Sequence, residues 1–416
     1  MAGIEVRAVD HFAASGVAYA YAVKAGPWLF LTGHEAFDFA AGGAAEVEGA
    51  AEFPSYGAPR LKREAQYILA RMRKHLADLG SDFRHSVRVD QYYPVFEAVR
   101  AYQLARHGEF GDYIPPSTSV LMERLFKRDS HISMSLMAVV PQAGYEIGKL
   151  YPPEVPVPVG SFFVPAITCN DFVFVAGQMA SDENALDAAV RLPKETRNWG
   201  GPNAVRRQTE FIIRKRLEPA LKAGDASWPH VLKAQIYVPT ADDIPDALDV
   251  WQQHVPHACA ITAVPTKGFG FVDGAVEINL LALRDGAKRR KEVLKVDLPP
   301  MTSYGAHVRA GELVFASGLM PRGGDDRYDG LAHPAQVQAL AALEGAQRIA
   351  KAAGTTAANI VRAQWFMADV AHFAGVQLAW ARQFGTAPHP FVCVQPPGPL
   401  PAPGAALTAD FWIYAP

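Results

Sequence analysis

The sequence predicts an α+β fold made of three tandem units, each ordered strand, strand, helix, strand, helix, strand, strand. Internal repetition is the first observation behind this prediction, because self-similarity at a fixed spacing marks a repeated structural unit. An apolar run ending in a small residue and a glycine occurs three times, as WLFLTGHEAF, FVFVAGQMAS and LVFASGLMPR. The second observation is that the segments after each run follow one order. A chain of 416 residues is also too long for one ordinary core.

The opening strands of the three units align on the glycine of each run. Gly33, Gly177 and Gly318 are 144 and 141 residues apart. Each glycine is preceded by a second strand-like segment, YAYAVKAG, FVPAITCN or YGAHVRAG. An aromatic residue lies 14 positions before each glycine: Tyr19, Phe163 and Tyr304. The three openings therefore predict three equivalent β-hairpins.

The rest of each unit alternates helices with strands. A long segment with apolar residues at helical spacing ends at Gly80, Gly224 or Gly354, and glycine there is a helix stop. A strand follows each helix, as SVRVDQYYP, VLKAQIYVP and IVRAQWFMA. A second helix comes next, as VFEAVRAYQLARHG, IPDALDVWQQHV and HFAGVQLAWARQFG. Two closing strands with β-branched and aromatic residues complete each unit.

Two segments are predicted to link the units. Residues 151–160 are rich in proline, and residues 285–300 (DGAKRRKEVLKVDLPP) are strongly charged. The resulting units span residues 1–150, 151–288 and 289–416. Each has the size of an ordinary single domain.

Composition excludes several classes of function. A formal net charge of −2 leaves no electrostatic footprint for nucleic acid or an anionic membrane. The first residues contain acids and no apolar core of a secretory signal, and no apolar segment is long enough to span a membrane. The three cysteines, Cys169, Cys259 and Cys393, lie far apart, which argues against a disulfide framework or a structural zinc site. We expect a cytoplasmic protein without a cofactor.

The repeated pattern resembles the RidA/YjgF family of reactive-intermediate deaminases, also described as endoribonuclease L-PSP. The resemblance is carried by the Tyr-x-x-Ala-Val-like start, the small-Gly-Gln step at Ala176–Gln178, the helix ending in glycine, and the closing VEINLLAL. The resemblance implies chorismate-mutase-like units and a trimer with ligand clefts between subunits. Three fused units imply a single-chain pseudo-trimer whose clefts need not be identical. We expect a monomeric pseudo-trimer or a low-order homo-oligomer.

The resemblance also implies a carboxylate-binding arginine just after the proline of the last turn. That position holds Ser117, Ala258, and Pro390 or Val392, so the arginine is absent from all three units. The loss matters because the planar guanidinium grips a carboxylate through two hydrogen bonds. The sequence does not show what replaces it. Arg124 is the preferred candidate, with Arg100, Arg309 and Arg322 as alternatives.

A glutamate on the final strand is the second implied catalytic group. Its position holds Ser133, Glu277 and Thr408, so only the second unit retains the carboxyl. Apolar neighbours would desolvate Glu277 and raise its pKa, which suits a general acid or base. The alternative is a solvent-facing glutamate on an alternating strand. The implied tyrosine near the start is kept as Tyr19 and Tyr304.

Histidines and cysteines supply further candidates. His34 follows the first glycine step, where the family has glutamine, and a histidine can move protons near neutral pH. Cys259 lies on a cleft-forming turn near His257, although a buried, inert thiol is the commoner role. His254 and His257 have HxxH spacing but lack the further ligands that a metal site needs. The polar loops at residues 191–203 and 323–330 are candidate lids.

The candidate residues fall into two groups. The catalytic candidates are Glu277, His34, Tyr19 and Tyr304. The substrate-binding candidates are Gly33, Gly177, Gly318, Ser117, Ser119, Cys259 and Arg124. No metal ligand is predicted.

The resemblance implies a hydrolase acting on a small molecule at one or more clefts. Deamination of an enamine, an imine or an aminomuconate-like conjugated acid, with release of ammonia, is the preferred case and would fit aromatic catabolism. One alternative is a non-catalytic binding or structural protein that has lost the carboxylate-binding arginine. Another is a chorismatase-like lyase or hydrolase.

Overall fold

One large sheet forms in each predicted unit, which confirms the α+β fold class and its threefold repetition. A computed structural model describes residues 3–9, 16–38, 42–49, 57–183, 185–191, 203–269, 273–298, 301–321 and 334–416.

The first two sheets share one strand order. In spatial order the first sheet contains Ile4–Val9, Tyr19–Ala25, Trp28–His34, Ser133–Val139, Ser86–Tyr93 and Ser117–Leu121. The second contains Ile147–Leu150, Ala166–Cys169, Phe172–Met179, Glu277–Leu283, Val231–Val238 and Ala260–Pro265. In both, the last pair is parallel and the other pairs are antiparallel.

The third sheet repeats this order and adds a strand taken from the first unit. It contains Lys291–Leu294, His307–Ala310, Leu313–Phe315, Leu407–Tyr414, Ile360–Met367, Phe391–Gln395 and Arg124–Leu125. Two small pairs join Phe37–Asp38 to Gly42–Gly43 and Met301–Thr302 to Met320–Pro321. The borrowed strand connects the first and third units through backbone hydrogen bonds.

Two helices in each unit cover one face of its sheet. They are Arg60–Asp78 and Phe96–Phe110 in the first unit, Ala204–Ile212 with Glu218–Ala223 and Ile244–His254 in the second, and Pro334–Ala352 and Phe373–Phe384 in the third. A π-helical segment, Ile213–Leu217, joins the two parts of the second unit's long helix. A short helix, Ala45–Glu48, precedes the first. Each unit buries its own apolar cluster between sheet and helices.

The glycines that follow the long helices end them in two different ways. Gly80 and Gly354 adopt positive φ values of 82° and 74°, the left-handed conformation that glycine allows at little cost. Gly224 has a φ of −91°, and the next residue, Asp225, takes the positive value of 53° instead. A side chain at Gly224 would lie 2.8 Å from Val173, so close packing requires glycine there.

An edge strand begins each sheet, and the predicted unit pattern lacks it. Ile147–Leu150 and Lys291–Leu294 are half exposed and carry lysine and glutamate, so they lack the apolar alternation of an interior strand. The interpretation of residues 285–300 as a linker is therefore wrong in part. The bounds 1–150, 151–288 and 289–416 stay a prediction, and Ile147–Leu150 pairs with the second sheet.

The faces of the three sheets that are turned away from the helices share one core. Phe30 of the first unit, Phe174 of the second, and Phe315 and Trp412 of the third belong to a single buried cluster. The ring centroids of Phe315 and Trp412 are 4.8 Å apart in an edge-to-face arrangement. The units are therefore joined by apolar packing as well as by the chain.

Polar side chains also fill the centre, where equivalent strands of the three units meet. Three layers repeat along these strands: Arg88, Lys233 and Arg362; then Asp90, Gln235 and Gln364; then Tyr92, Tyr237 and Phe366. All nine side chains are buried. The layers are linked across units by a hydrogen bond of 2.9 Å from Gln235 to Gln364 and one of 3.1 Å between the tyrosine hydroxyls.

Asp90 is the acid that two of the three central cations contact. Its carboxylate lies 2.9 Å from the guanidinium of Arg88 and 2.7 Å from that of Arg362 in the third unit. Burial alone would raise the pKa of Asp90, but the two guanidinium groups outweigh it and hold the pKa below its usual range. Lys233 pairs separately with Asp410 at 2.8 Å. These pairs join all three units at the centre.

Replacing Asp90 with asparagine should lower the free energy of unfolding by about 3–5 kcal/mol, because Arg88 and Arg362 would lose their buried counter-charge. Urea unfolding at neutral pH measures this. Asp78→Asn is the control, since Asp78 pairs with Lys74 at the exposed surface and its replacement should leave the free energy of unfolding nearly unchanged. An equal, small loss in both variants would contradict a structural role for the central pair.

Candidate active site

The small-Gly step predicted from the sequence is a β-bulge. In the second unit the pairing register shifts between Val175 and Gln178, around Gly177. The first unit has the same shift between Leu31 and His34. A bulge inserts an unpaired residue that bends the strand and re-aims its side chains. The glycine steps therefore turn the strands at the points where neighbouring units meet.

At the junction of the first and third units, the glycine step is packed shut. The hydroxyl of Tyr19 donates to the carbonyl oxygen of Gly33 at 2.8 Å, and a side chain at Gly33 would lie 3.2 Å from the Cα of Val392. His34 is buried, with its Nε2 3.0 Å from the carbonyl oxygen of Tyr21, and burial lowers its pKa well below the usual value. Tyr19 and Gly33 thus contact the third unit, whereas the ring of His34 packs against Tyr21 and His75 of its own unit.

The junction of the second and third units is closed by backbone hydrogen bonds. The amide of Gly318 donates to the carbonyl oxygen of Ile261 at 2.9 Å, and the amide of Ala306 donates to that of Cys259 at 2.9 Å. Burial raises the pKa of the Cys259 thiol to about 11 and that of Tyr304 to about 12. A thiol with so high a pKa is a poor nucleophile.

The junction of the first and second units opens into a cavity of about 630 Å³. Gly177 and Glu277 of the second unit and Ser117 and Ser119 of the first unit all line it. Four of the predicted site residues therefore meet in one place, although they lie on three strands from two different units. Polar groups at the floor and apolar groups around them are typical of a small-molecule site.

Glu277 lies directly over the bulge glycine. A methyl group at Gly177 would lie 1.9 Å from the Oε1 atom of Glu277, so any larger residue at position 177 would force the carboxyl to move. Glu277 pairs with Met179 on the neighbouring strand, and its side chain is 4% exposed. The solvent-facing alternative for Glu277 is therefore excluded.

Burial makes Glu277 a weak acid. Desolvation raises its pKa from 4.5 to about 8, opposed by the backbone amide of Ser119, which donates to the carboxylate, while the charge of Asp90 raises it further. At neutral pH the carboxyl is mostly protonated and can both donate and take up a proton. A pKa near the working pH is the property a general acid–base requires.

A hydrogen-bonded chain runs from Glu277 along the first unit's strand. The hydroxyls of Ser117 and Ser119 both donate to the side-chain oxygen of Gln91. Arg106 then donates from Nη1 to the Ser117 hydroxyl at 3.2 Å. Ser117 and Ser119 are two residues apart on one face of the strand, so their Cα atoms are about 7 Å apart. These two serines form the polar floor of the cavity.

The model of the family described as "Endoribonuclease L-PSP" matches residues 154–284 and 295–405, which is more than half of the chain. The chain belongs to the endoribonuclease L-PSP family. This confirms the resemblance drawn from the sequence. The first sheet has the same strand order as the two matched regions. None of the curated proteins matches the chain.

Solved structures similar to this family member include single-unit and longer proteins. A putative endoribonuclease L-PSP from Entamoeba histolytica has 19% identity and a TM-score of 0.27, over 33% of this chain and 99% of that one. RidA from the Antarctic bacterium Psychrobacter has 19% identity and a TM-score of 0.26, over 32% and 98%. A chorismatase has 14% identity and a TM-score of 0.45, over 67% and 79%.

Arg106 is the cation that the sequence analysis missed in this member of the endoribonuclease L-PSP family. It comes from the helix Phe96–Phe110, on the buried stripe that also holds Ala98 and Tyr102 at intervals of four residues. An arginine inside an apolar helical stripe was the available signal. Its guanidinium contacts the hydroxyl of Ser117, the residue at the family's arginine position.

The guanidinium of Arg106 is only partly satisfied. Nη2 donates to the carbonyl oxygen of Ser161 at 2.6 Å, while Nε is buried without a partner. Among the residues that the structure describes, no carboxylate pairs with Arg106. A buried cation without a counter-ion is costly, and a bound carboxylate would offset that cost.

The arginines predicted from the sequence lie away from the cavity or at its margin. Arg124 is exposed on the borrowed strand, paired with Gln395 of the third sheet. Arg100 lines the cavity but is exposed, and Arg309 donates to the carbonyl oxygens of Gly311 and Ala353. Arg322, the loop 323–330 and most of the loop 191–203 lie outside the described residues.

Metal and membrane features give no further site within the described ranges. No three histidine, cysteine or acidic side chains there are grouped to hold a metal ion, and the nearest charged partner of His254 is Glu210 at 3.8 Å. All three cysteines are buried and free. Among the described helices, none has the length and apolar character needed to cross a membrane.

A double-mutant cycle should show that positions 177 and 277 are energetically coupled, because a side chain at 177 would occupy the space of the Glu277 carboxyl. Gly177→Ala should cost about 1–3 kcal/mol of unfolding free energy, because the added methyl forces the buried carboxyl aside. In a Glu277→Ala background most of that cost should disappear. Gly318→Ala, whose methyl would lie 3.3 Å from Thr262, should be insensitive to the residue at 277. Urea unfolding measures all the variants, and an additive cycle for Gly177 would contradict the proposed contact.

The raised pKa of Glu277 makes a signed prediction for stability. Its folded pKa of about 8 exceeds the usual 4.5, so its contribution is favourable below pH 4.5 and is lost as the pH rises through 8. Each pKa unit corresponds to about 1.4 kcal/mol. The free energy of unfolding of Glu277→Gln, relative to that of the wild type, should therefore be a few kcal/mol higher at pH 9 than at pH 4. Unfolding curves at both pH values test this, and parallel behaviour of the two proteins would refute it.

Proposed function

We propose that the cavity between the first and second units is the active site of a hydrolase acting on a conjugated carboxylic acid that carries an enamine or imine. The supporting observation is that Glu277, held over Gly177 with a pKa of about 8, is a buried carboxyl lining this cavity. Glu277 is the proposed general acid–base. The proposal assigns chemistry to one junction of the three.

Arg106 is the proposed substrate anchor. Its guanidinium is buried at the cavity wall, lacks a carboxylate partner among the described residues, and keeps Nε–H free of protein acceptors. A charge-assisted hydrogen bond to a substrate carboxylate would supply the missing counter-charge. Arg106 and Glu277 lie at opposite ends of the row formed by Ser117 and Ser119. A short substrate acid can therefore contact both side chains.

The proposed reaction needs one carboxyl group and one water. Protonated Glu277 gives its proton to the enamine carbon, which leaves an iminium, and an imine enters at this stage by protonation on nitrogen. The Glu277 carboxylate then takes a proton from water as the water oxygen adds to the iminium carbon. Glu277 returns that proton to nitrogen, ammonia leaves, and the new carbonyl loses its proton to Glu277. One water is consumed for each ammonia released.

The remaining candidates play no part in this proposal. Tyr19 and Gly33 lie at the first–third junction, and His34 packs inside the first unit. Tyr304, Gly318 and Cys259 lie at the second–third junction. Arg124 lies on the surface. On the sequence features alone, we also propose a cytoplasmic protein working as a single-chain pseudo-trimer or a low-order oligomer of it.

Ammonia release from a panel of enamines, imines and aminomuconate-like acids tests the proposal. Glu277→Gln should lower kcat by about 10²–10⁴-fold, the usual size of a general acid–base effect. Arg106→Gln should raise KM by roughly 10–100-fold, as expected for a lost charge-assisted hydrogen bond. Arg124→Gln is the matched control at the surface. In the wild type, kcat/KM should fall as the pH rises above about 8, because Glu277 then loses its proton.

The same assays separate the alternatives. Unchanged ammonia release in a folded Glu277→Gln variant would move the chemistry away from this cavity. Release of a keto acid from an enol ether added to the panel, with no ammonia released from any enamine or imine, would indicate chorismatase-type hydrolysis. Carboxylate binding that depends on Arg106, with no turnover of any compound, would indicate a binding protein.

A further inference from the structure

The mouth of the cavity is surrounded by large apolar side chains that water can reach. Phe96, Leu104, Val159 and Phe162 are 54%, 64%, 72% and 61% exposed, and all four line the cavity. We call these four residues the apolar rim. Scattered exposed apolar residues are ordinary, but a cluster of them around one opening marks a binding surface.

The rim is built by both units. Phe96 and Leu104 lie eight residues apart on one face of the helix Phe96–Phe110, and Arg106 follows on the same helix. Val159 and Phe162 belong to a strap, residues 156–163, from the second unit. This helix therefore carries both the proposed carboxylate anchor, Arg106, and two residues of the apolar rim, Phe96 and Leu104.

The strap is held across the cavity by the anchor itself. Arg106 donates to the carbonyl oxygen of Ser161, and the amide of Val159 donates to that of Glu183 at 3.0 Å. Phe162 adopts a φ of 54°, which is uncommon for a bulky residue and costs roughly 1–2 kcal/mol in general. That conformation leaves the ring at the mouth, against His107 at 4.4 Å, although 61% of the side chain stays exposed. Strain that holds an aromatic ring in water needs a function to explain it.

The interior of the cavity is also aromatic. Phe163 and Phe269, which are less exposed than the rim residues, also line it. The volume of about 630 Å³ lies in the range that drug-sized ligands occupy, well above the needs of a three-carbon acid. Phenyl side chains favour edge-to-face or offset contacts with another ring.

We propose that the substrate is an aryl-substituted acid whose carboxylate binds Arg106 and whose ring lies against the apolar rim. This inference rests on the proposed function for the identity of the reacting group. It adds the substrate class: an amphiphilic arylated conjugated acid in place of a small amino acid derivative. Charge at the floor and aromatic carbon at the mouth specify the two ends of the ligand.

Calorimetric titration of the full chain with unreactive acids tests the inference without any turnover. The probes are acrylate, 3-phenylacrylate and 3-cyclohexylacrylate. We expect 3-phenylacrylate to bind about 10–100-fold more tightly than acrylate, with the cyclohexyl acid between them. Binding of the phenyl acid should also show the negative heat-capacity change of apolar burial.

Rim variants locate the effect. Phe162→Ser and Leu104→Ser should remove most of the gain for 3-phenylacrylate while leaving acrylate affinity unchanged. Both residues are exposed, so the fold should tolerate the changes. Leu378→Ser is the matched control, because Leu378 is a 46% exposed leucine on a helix of the third unit. It should change neither affinity.

Two outcomes would overturn the inference: equal affinity for acrylate and 3-phenylacrylate, or a phenyl gain that survives both rim substitutions. Its failure is distinguishable from failure of the proposed function. Ammonia release from small imino acids, with no gain from an aryl group, would leave the hydrolase proposal intact. Rim-dependent binding of 3-phenylacrylate without ammonia release from any arylated substrate would support the ligand class and overturn the proposed reaction.

Discussion

The contact of Asp90 with two guanidinium groups from different units is the constraint around which the structure is arranged. Charges taken out of water are tolerated only when they are paired, so the three central strands must meet in one register. Arg88 and Arg362 face the same acid, and the equivalent cation of the second unit, Lys233, pairs with Asp410 instead. The centre is thus threefold in backbone and asymmetric in charge. A homotrimer could not build this arrangement, because identical subunits would place the same residue at every equivalent position.

The same freedom to diverge explains why the three junctions differ. Each has a glycine step facing a strand of another unit, and the residues around that step differ. Gly318 donates to Ile261 and closes its junction, and Gly33 packs against Val392. Only at Gly177 does a carboxyl take the space over the bulge. The cavity there also gains a cation from a helix, so this junction combines ligand space, a buried carboxyl and a guanidinium.

Repetition made most of the fold predictable, because each helix and interior strand was supported by two equivalents elsewhere in the chain. The edge strands were missed because Lys291–Leu294 carries the charges that protect an exposed edge, and this hides its β-pattern. Glu277 was found because the family pattern marks a single position. Arg106 was not, because the family's arginine position lies on the strand, where this chain has Ser117, whereas the guanidinium of Arg106 reaches Ser117 from a helix. Which junction is open depends on contacts between units, and no local pattern encodes them.

The pairing of Asp90 with Arg362 also bears on how the chain reaches its native state. The two residues are 272 positions apart. The borrowed strand Arg124–Leu125 likewise cannot pair until the third unit has been synthesised. At a synthesis rate of about 5–20 residues per second, the first unit emerges roughly 15–50 s before the third. During that interval Asp90 has one of its two cations, and the faces that form the shared core remain uncovered. Such long-range closure slows folding, and the period of exposure is when a chaperone would have most to do.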